Sequence, residues 1–219
     1  MGTEIGRALR KRGAITWLAA AIAAVAVASD LSLAALRHGY DAPRIALAGV
    51  SVCALALLGR GDRCSLGLTF RLNPSYRYWV RATLLIGAIV GLFCLVAFLL
   101  LHAAGVHIPI PATPPDQAVS SVVFACIAAP LLEEAIYRLV FCVPFAAITG
   151  TRTTIMLSGA IFAGLHFVYG NPSPDNFIAG FFLAWAYLKS GSIFTPLLLH
   201  SLGNACAVAA HIVHWYMTS

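Results

Sequence analysis

Between Val119 and Ile148 the chain is apolar except for two adjacent carboxylates and one guanidinium, Glu133, Glu134 and Arg138. An ionised group near the centre of a bilayer costs at least a few kcal/mol, so three together need partners or a task. Helical spacing separates their roles. Glu134 and Arg138 are four apart, share a face and can pair. Glu133 is turned by about 100° from Glu134 and lies over Pro130 and Tyr137. The arginine thus neutralises one carboxylate and leaves Glu133 for chemistry.

Two later apolar stretches carry polar groups at the same spacing. Phe162-Ala-Gly-Leu-His166 sets a histidine one turn beyond a phenylalanine, and His200-Ser-Leu-Gly-Asn204 sets a histidine and an asparagine on one face. Each alone has an ordinary explanation: a lone intramembrane histidine serves packing, and a His–Asn pair can clamp two helices. Together, however, Glu133, His166, His200 and Asn204 lie on three spans of an apolar bundle. Each needs polar company in lipid, so they are expected to converge.

A converged set suits water-mediated acyl transfer. A poorly solvated carboxylate is a strong base, so Glu133, assisted by His166, could hold and deprotonate an attacking water. His200 and Asn204 both donate hydrogen bonds and could stabilise the oxyanion of a tetrahedral intermediate. Glu134 and Arg138 would orient the segment, and Phe162 would pack beside His166. No serine or cysteine nucleophile is paired with a base, and there is no His-Glu-x-x-His pair. A zinc site with an open position could use Glu133, His166 and His200. Asparagine is an uncommon zinc ligand but a good oxyanion donor, which favours the metal-free reading. Two further classes stand beside it: a non-catalytic immunity or scaffold protein that uses the polar set as interhelical glue, and a transporter that uses it as a proton relay. The lack of an internal repeat counts against the transporter.

The elements that must position these residues are transmembrane helices. Of the 219 residues 60% are hydrophobic and 10% charged, with a mean hydropathy of +0.87. This describes an all-α polytopic bundle rather than a soluble domain. About seven spans are expected, over 14–36, 45–58, 82–104, 118–150, 153–169, 176–188 and 193–217. Residues 1–13 form a basic head, 14–117 the first three spans with their connections, and 118–217 the core that holds the motifs. Pro130 and Pro144 mark bends, and Pro144 is a place for its helix to end. Asp30 reads as an interfacial or capping residue, and Gly87 with Gly91 as a helix-contact face. Tyr76, Tyr78 and Trp79 suit a surface segment at the membrane–water boundary. The six cysteines have no paired spacing and read as buried thiols.

The net charge of +6 sits in the connections and reads as topology rather than nucleic-acid affinity. Expected partners are membrane lipid and a peptide or membrane-protein substrate. Lysines and arginines alternate between rich and poor connections. This places the head, the connection 60–81, Arg152 and Lys189 in the cytoplasm, in a plasma (inner) membrane. One conflict arises. From the presumed cytoplasmic helix ends, His200 lies about 12 Å deep, His166 about 20 Å and Glu133 about 25 Å. A break at Pro144, or a later start than Thr153, would bring them level.

Glu-Glu-x-x-x-Arg at 133–138, Phe-x-x-x-His at 162–166 and His-x-x-x-Asn at 200–204 occur in the order seen in the CPBP intramembrane proteases. That family includes type II CAAX prenyl endopeptidases and bacteriocin-processing or self-immunity proteins. Gly180–Asn204, with Leu-Lys-Ser-Gly-Ser-Ile-Phe-Thr-Pro before the last motif, also resembles the family's final block. The resemblance spans roughly Val119–Ala207. It implies an intramembrane endopeptidase acting on membrane-associated substrates, a lipid-modified carboxyl-terminal motif being one precedent. It also implies Glu133 as water-activating base assisted by His166, His200 and Asn204 as oxyanion site, and Glu134 with Arg138 as the structural part of the first motif.

Overall fold

Long apolar runs interrupted by Gly, Pro and charged turns produce helices, and the fold is a helical bundle. A computed structural model describes residues 4–10, 12–36, 41–70, 73–105, 111–171 and 174–219, with no strand among them. The helices are α1 (Ala14–Ala35), α2 (Ala42–Leu58), α3 (Tyr76–Ala103), α4 (Ala118–Val123), α5 (Ala129–Glu134), α6 (Phe141–Ile148), α7 (Thr151–Val168), α8 (Pro174–Ser190) and α9 (Phe194–Thr218). A 3-10 turn and two π turns join α4, α5 and α6 to form one continuous rod from Pro115 to Ile148. Ala14–Ala35, Tyr76–Ala103, Pro115–Ile148 and Phe194–Thr218 are each long and apolar enough to cross a membrane. The chain is thus an integral membrane protein, and the expected all-α bundle holds.

Several expectations change. Pro144 does not end its helix, which runs on to Ile148. Tyr76–Trp79 is not a separate surface segment but the first turn of α3, capped by the Ser75 hydroxyl accepting from the amide of Tyr78. A Cβ added at Gly87 or Gly91 would meet nothing within 4 Å, so among the described residues that small-residue face packs against no other helix. Among the cysteines only Cys142 is buried, while Cys53, Cys64 and Cys206 lie on outer faces. Asp30 is neither interfacial nor a cap. It is fully buried in α1 and paired with Arg44 of α2 at 2.7 Å.

The depth conflict is resolved by a stagger. Neither proposed remedy applies: the rod is unbroken at Pro144, and α7 starts at Thr151 rather than later. Instead α9 begins inside the protein. His200 meets Glu134, yet it is only six residues from the start of α9, whereas Glu134 is fourteen from Ile148. At 1.5 Å per residue, the start of α9 is recessed by about 12 Å relative to the α6–α7 turn.

A cap fills that recess. The segment 64–69 accepts hydrogen bonds from the α8–α9 region: Tyr187 hydroxyl to Leu66 O at 2.7 Å, Ile193 amide to Gly67 O at 2.9 Å and Ser192 Oγ to Thr69 O at 2.5 Å. The N-terminal head docks on the same segment. The Gly6 amide donates to Ser65 O, and the Ala8 amide to Ser65 Oγ, both at 2.9 Å. Ile5 and Leu9 are buried beneath it. Arg7 also pairs with Glu4 and Asp62, but these groups are exposed and solvent screens them. Apolar burial and backbone bonds therefore hold the cap.

Candidate active site

The rod supplies the first motif, and proline shapes its presentation. Pro130 has no amide to donate. In α geometry that amide would bond the carbonyl of Cys126, and in π geometry that of Ala125. The turn before it, Phe124–Ala128, is a π turn, and Asn204 Nδ2 donates to Ala125 O at 2.6 Å. A side chain of α9 thus supplies a donor where the proline cannot. A second π turn, Ala135–Val140, follows the carboxylates. Its Tyr137 carbonyl accepts from Cys142 Sγ at 3.3 Å and from Ser158 Oγ at 3.0 Å. The carboxylate pair therefore sits between two widened turns, each tied down by side chains. Such turns are frequent at functional sites.

Glu133, Glu134 and Arg138 are all buried, with exposures of 2%, 1% and 0%. Arg138 Nε lies 3.1 Å from Glu134 Oε2, its Nη1 donates to Ser158 Oγ at 2.8 Å, and its guanidinium covers the Phe162 ring at 4.8 Å. Glu134 has a second duty: its Oε1 accepts from His200 Nδ1 at 2.9 Å. That bond turns His200 Nε2 toward Glu133, 3.8 Å from its Oε2. One histidine thus bridges the two carboxylates, although they leave the helix on different faces.

Phe162 is the hub on α7. Its ring centre is 4.6 Å from that of His166, 5.7 Å from that of His200 and 5.9 Å from that of Tyr137. His166 lies in the last turn of α7, where the chain stops in a Schellman motif. The Asn171 amide bonds His166 O at 2.9 Å, the Gly170 amide bonds Phe167 O at 3.0 Å, and Gly170 takes a left-handed φ of 75°. His166 Nδ1 donates to Phe162 O at 3.1 Å, so in the neutral ring Nε2 is the acceptor nitrogen.

Glu133, Glu134, Arg138, Phe162 and His200 are therefore linked in one cluster, and His166 joins through Phe162. Asn204 lies one turn beyond His200. One of its N–H groups serves Ala125, and the other remains for a ligand. Among the described residues no three His, Cys, Asp or Glu side chains are grouped to hold a metal ion.

Sequence reasoning passed over Ser158, Tyr137, Tyr169 and Arg44, and it misplaced Asp30. Asp30 and Arg44 are charges inside or at the rim of apolar runs, the same signal that exposed Glu133. Ser158 and the tyrosines gave none.

Fold and site together define a polytopic helical membrane protein with a buried carboxylate–histidine cluster assembled from three spans. Residues 115–206, which carry all three motifs, match the family model of the Rce1-like type II CAAX prenyl endopeptidases. Spans α1 to α3 precede the match. No curated protein and no solved structure matches the chain.

Proposed function

We propose that the protein is an intramembrane endopeptidase that hydrolyses a peptide bond of a membrane-associated substrate by a glutamate-activated water. The observation that carries this is the position of Glu133. It is buried and faces His200 Nε2 at 3.8 Å, while Arg138 Nε lies 3.1 Å from Glu134. In the hydrolytic step Glu133 takes a proton from water as the water oxygen bonds to the scissile carbonyl carbon. The carbonyl electron pair moves to its oxygen, where the second N–H of Asn204 and, with His200 as the imidazolium, its Nε2–H stabilise it. The proton then passes to the amide nitrogen as the C–N bond breaks, giving a carboxylic acid and an amine. His166 offers Nε2 as acceptor to the same water. Glu134 orients His200 much as second-layer carboxylates orient catalytic histidines elsewhere. No metal takes part in this scheme. The family name points to substrates with a lipid-modified carboxyl-terminal motif, which is the substrate class proposed here.

Purified protein in liposomes is to be assayed against lipidated and unlipidated peptides, beside Glu133→Gln. The variant is expected to fold and to lose at least about a thousandfold in kcat. Full activity in Glu133→Gln would sink the mechanism. Activity that survives exhaustive chelation is expected, and its loss with recovery on adding zinc would transfer the site to the metal alternative.

The orientation proposed is the one with the basic cap on the cytoplasmic side of a plasma (inner) membrane. Cys64 lies exposed on the cap. In intact cells a membrane-impermeant maleimide is expected to label it only after permeabilisation; labelling from outside would reverse the topology.

A further inference from the structure

Helices α1 and α2 lie outside the family-matched residues, yet they bury an ion pair against the site. Asp30 and Arg44 are both fully buried and meet through two hydrogen bonds, Nε to Oδ1 at 2.7 Å and Nη2 to Oδ2 at 2.9 Å. The third guanidinium nitrogen, Nη1, donates to the hydroxyl of Tyr169, and the guanidinium also covers that ring at 5.5 Å. The Tyr137 hydroxyl donates to Asp30 Oδ2 at 2.7 Å. Both tyrosines touch the site. The Tyr169 ring meets His166 edge-on with centres 6.1 Å apart, and the Tyr137 ring stands perpendicular to Phe162.

Stability alone is a poor reason for this arrangement, because a buried ion pair can often be replaced by apolar residues without loss. Its geometry is the better reason. His166 sits in the final turn of α7, half-buried, and the hydrogen bond seen at its ring goes to its own helix. Phe162 lies against one side of that ring and Tyr169 against another. Tyr169 is itself the residue that closes α7. Arg44, held in a fork by Asp30, grips its hydroxyl and covers its ring from another helix.

We propose that Asp30 and Arg44 are positioning residues for the hydrolytic site: they hold Tyr169 against His166 and fix the angle at which His166 Nε2 meets the water. The inference rests on the reading above that His166 assists hydrolysis. It makes α1 and α2 part of the site rather than a passive wall around it.

Tyr169→Phe keeps the ring and removes the hydroxyl that Arg44 Nη1 bonds, so it tests positioning without emptying the core. It is expected to stay folded, to lose about tenfold in kcat with KM within about twofold, and to cost nothing further when His166 is already Ala. Arg44→Lys keeps a charge for Asp30 but loses the fork, and is expected to behave like Tyr169→Phe. A second readout needs no substrate. In protein labelled with 15N-histidine in detergent micelles, the His166 ring signals are expected to broaden in Tyr169→Phe. Unchanged kcat and an unchanged His166 spectrum would overturn the proposal and leave the network as a structural clamp. Glu133→Gln run alongside separates the two failures: an active Glu133→Gln defeats the hydrolytic reading, while the His166 spectrum still judges the positioning.

Discussion

Glu134 is the residue on which the cluster turns. One oxygen faces the Arg138 guanidinium and the other accepts from His200, so a single carboxylate orders both the cation and the imidazole. Its removal strands a buried guanidinium, and breaking such a pair from one side costs about 3–5 kcal/mol. Glu133 faces His200 Nε2 at 3.8 Å, whereas Glu134 lies against the guanidinium at 3.1 Å. Glu134→Ala is therefore expected to melt well below Glu133→Ala in detergent and to express less. Equal melting of the two variants would show that Arg138 does not depend on Glu134. The Glu134–Arg138 pairing was legible from a spacing of four. The His200 contact was not, because nothing local says which carboxylate a distant histidine reaches.

At the scale of elements, the rod from Pro115 to Ile148 depends on widened turns rather than on a break. Pro130→Ala supplies an amide that competes with Asn204 for the carbonyls of the first π turn. The variant is expected to be as stable as the parent or more so, since helical proline costs about 3 kcal/mol relative to alanine. It is also expected to lose at least about tenfold in activity as the turn tightens and Glu133 rotates. Thermal melting and turnover measured on the same preparation check both halves. Unaltered turnover would mean that the π turn has no part in aiming Glu133. A second element-level device is the crossing of α7 and α8. A Cβ on Gly180 would lie 2.8 Å from the carbonyl of Gly159, and one on Gly159 2.3 Å from the Phe181 ring. Gly180→Ala must push α8 away from Phe162 and is expected to cost about 1–3 kcal/mol, read as a lowered melting temperature.

The whole molecule is a staggered bundle closed at one end by a cap made from two segments distant in sequence. Gly67 is where they meet. Its φ of 69° is left-handed, and an added Cβ would lie 2.7 Å from Tyr187 and 2.9 Å from Ile5. Gly67→Ala is expected to destabilise by about 1–3 kcal/mol and to open the cap, so that a protease cuts the head before residue 14. Wild-type resistance to cleavage in that variant would show that the cap docks without Gly67. The stagger also explains the failed depth estimate, which assumed level helix ends. Ser192 and Ile193 lead into α9 under a roof of chain rather than at a surface, and no local residue pattern announces a roof contributed from residues 64–69.

Apolar length, helical spacing and the order of the three motifs were enough to establish a membrane bundle, to single out Glu133, His166, His200 and Asn204, and to pair Glu134 with Arg138. All of these are properties of neighbours along one helix, where 3.6 residues per turn fixes who stands beside whom. Tertiary structure alone decided that His200 bridges both carboxylates, that Asn204 serves a carbonyl exposed beside Pro130, and that Asp30 and Arg44 bury an ion pair against the site. Those contacts depend on how far one helix slides past another. In this chain the slide is set by a cap whose two halves lie some sixty residues apart, so spacing within any single span carries no record of it.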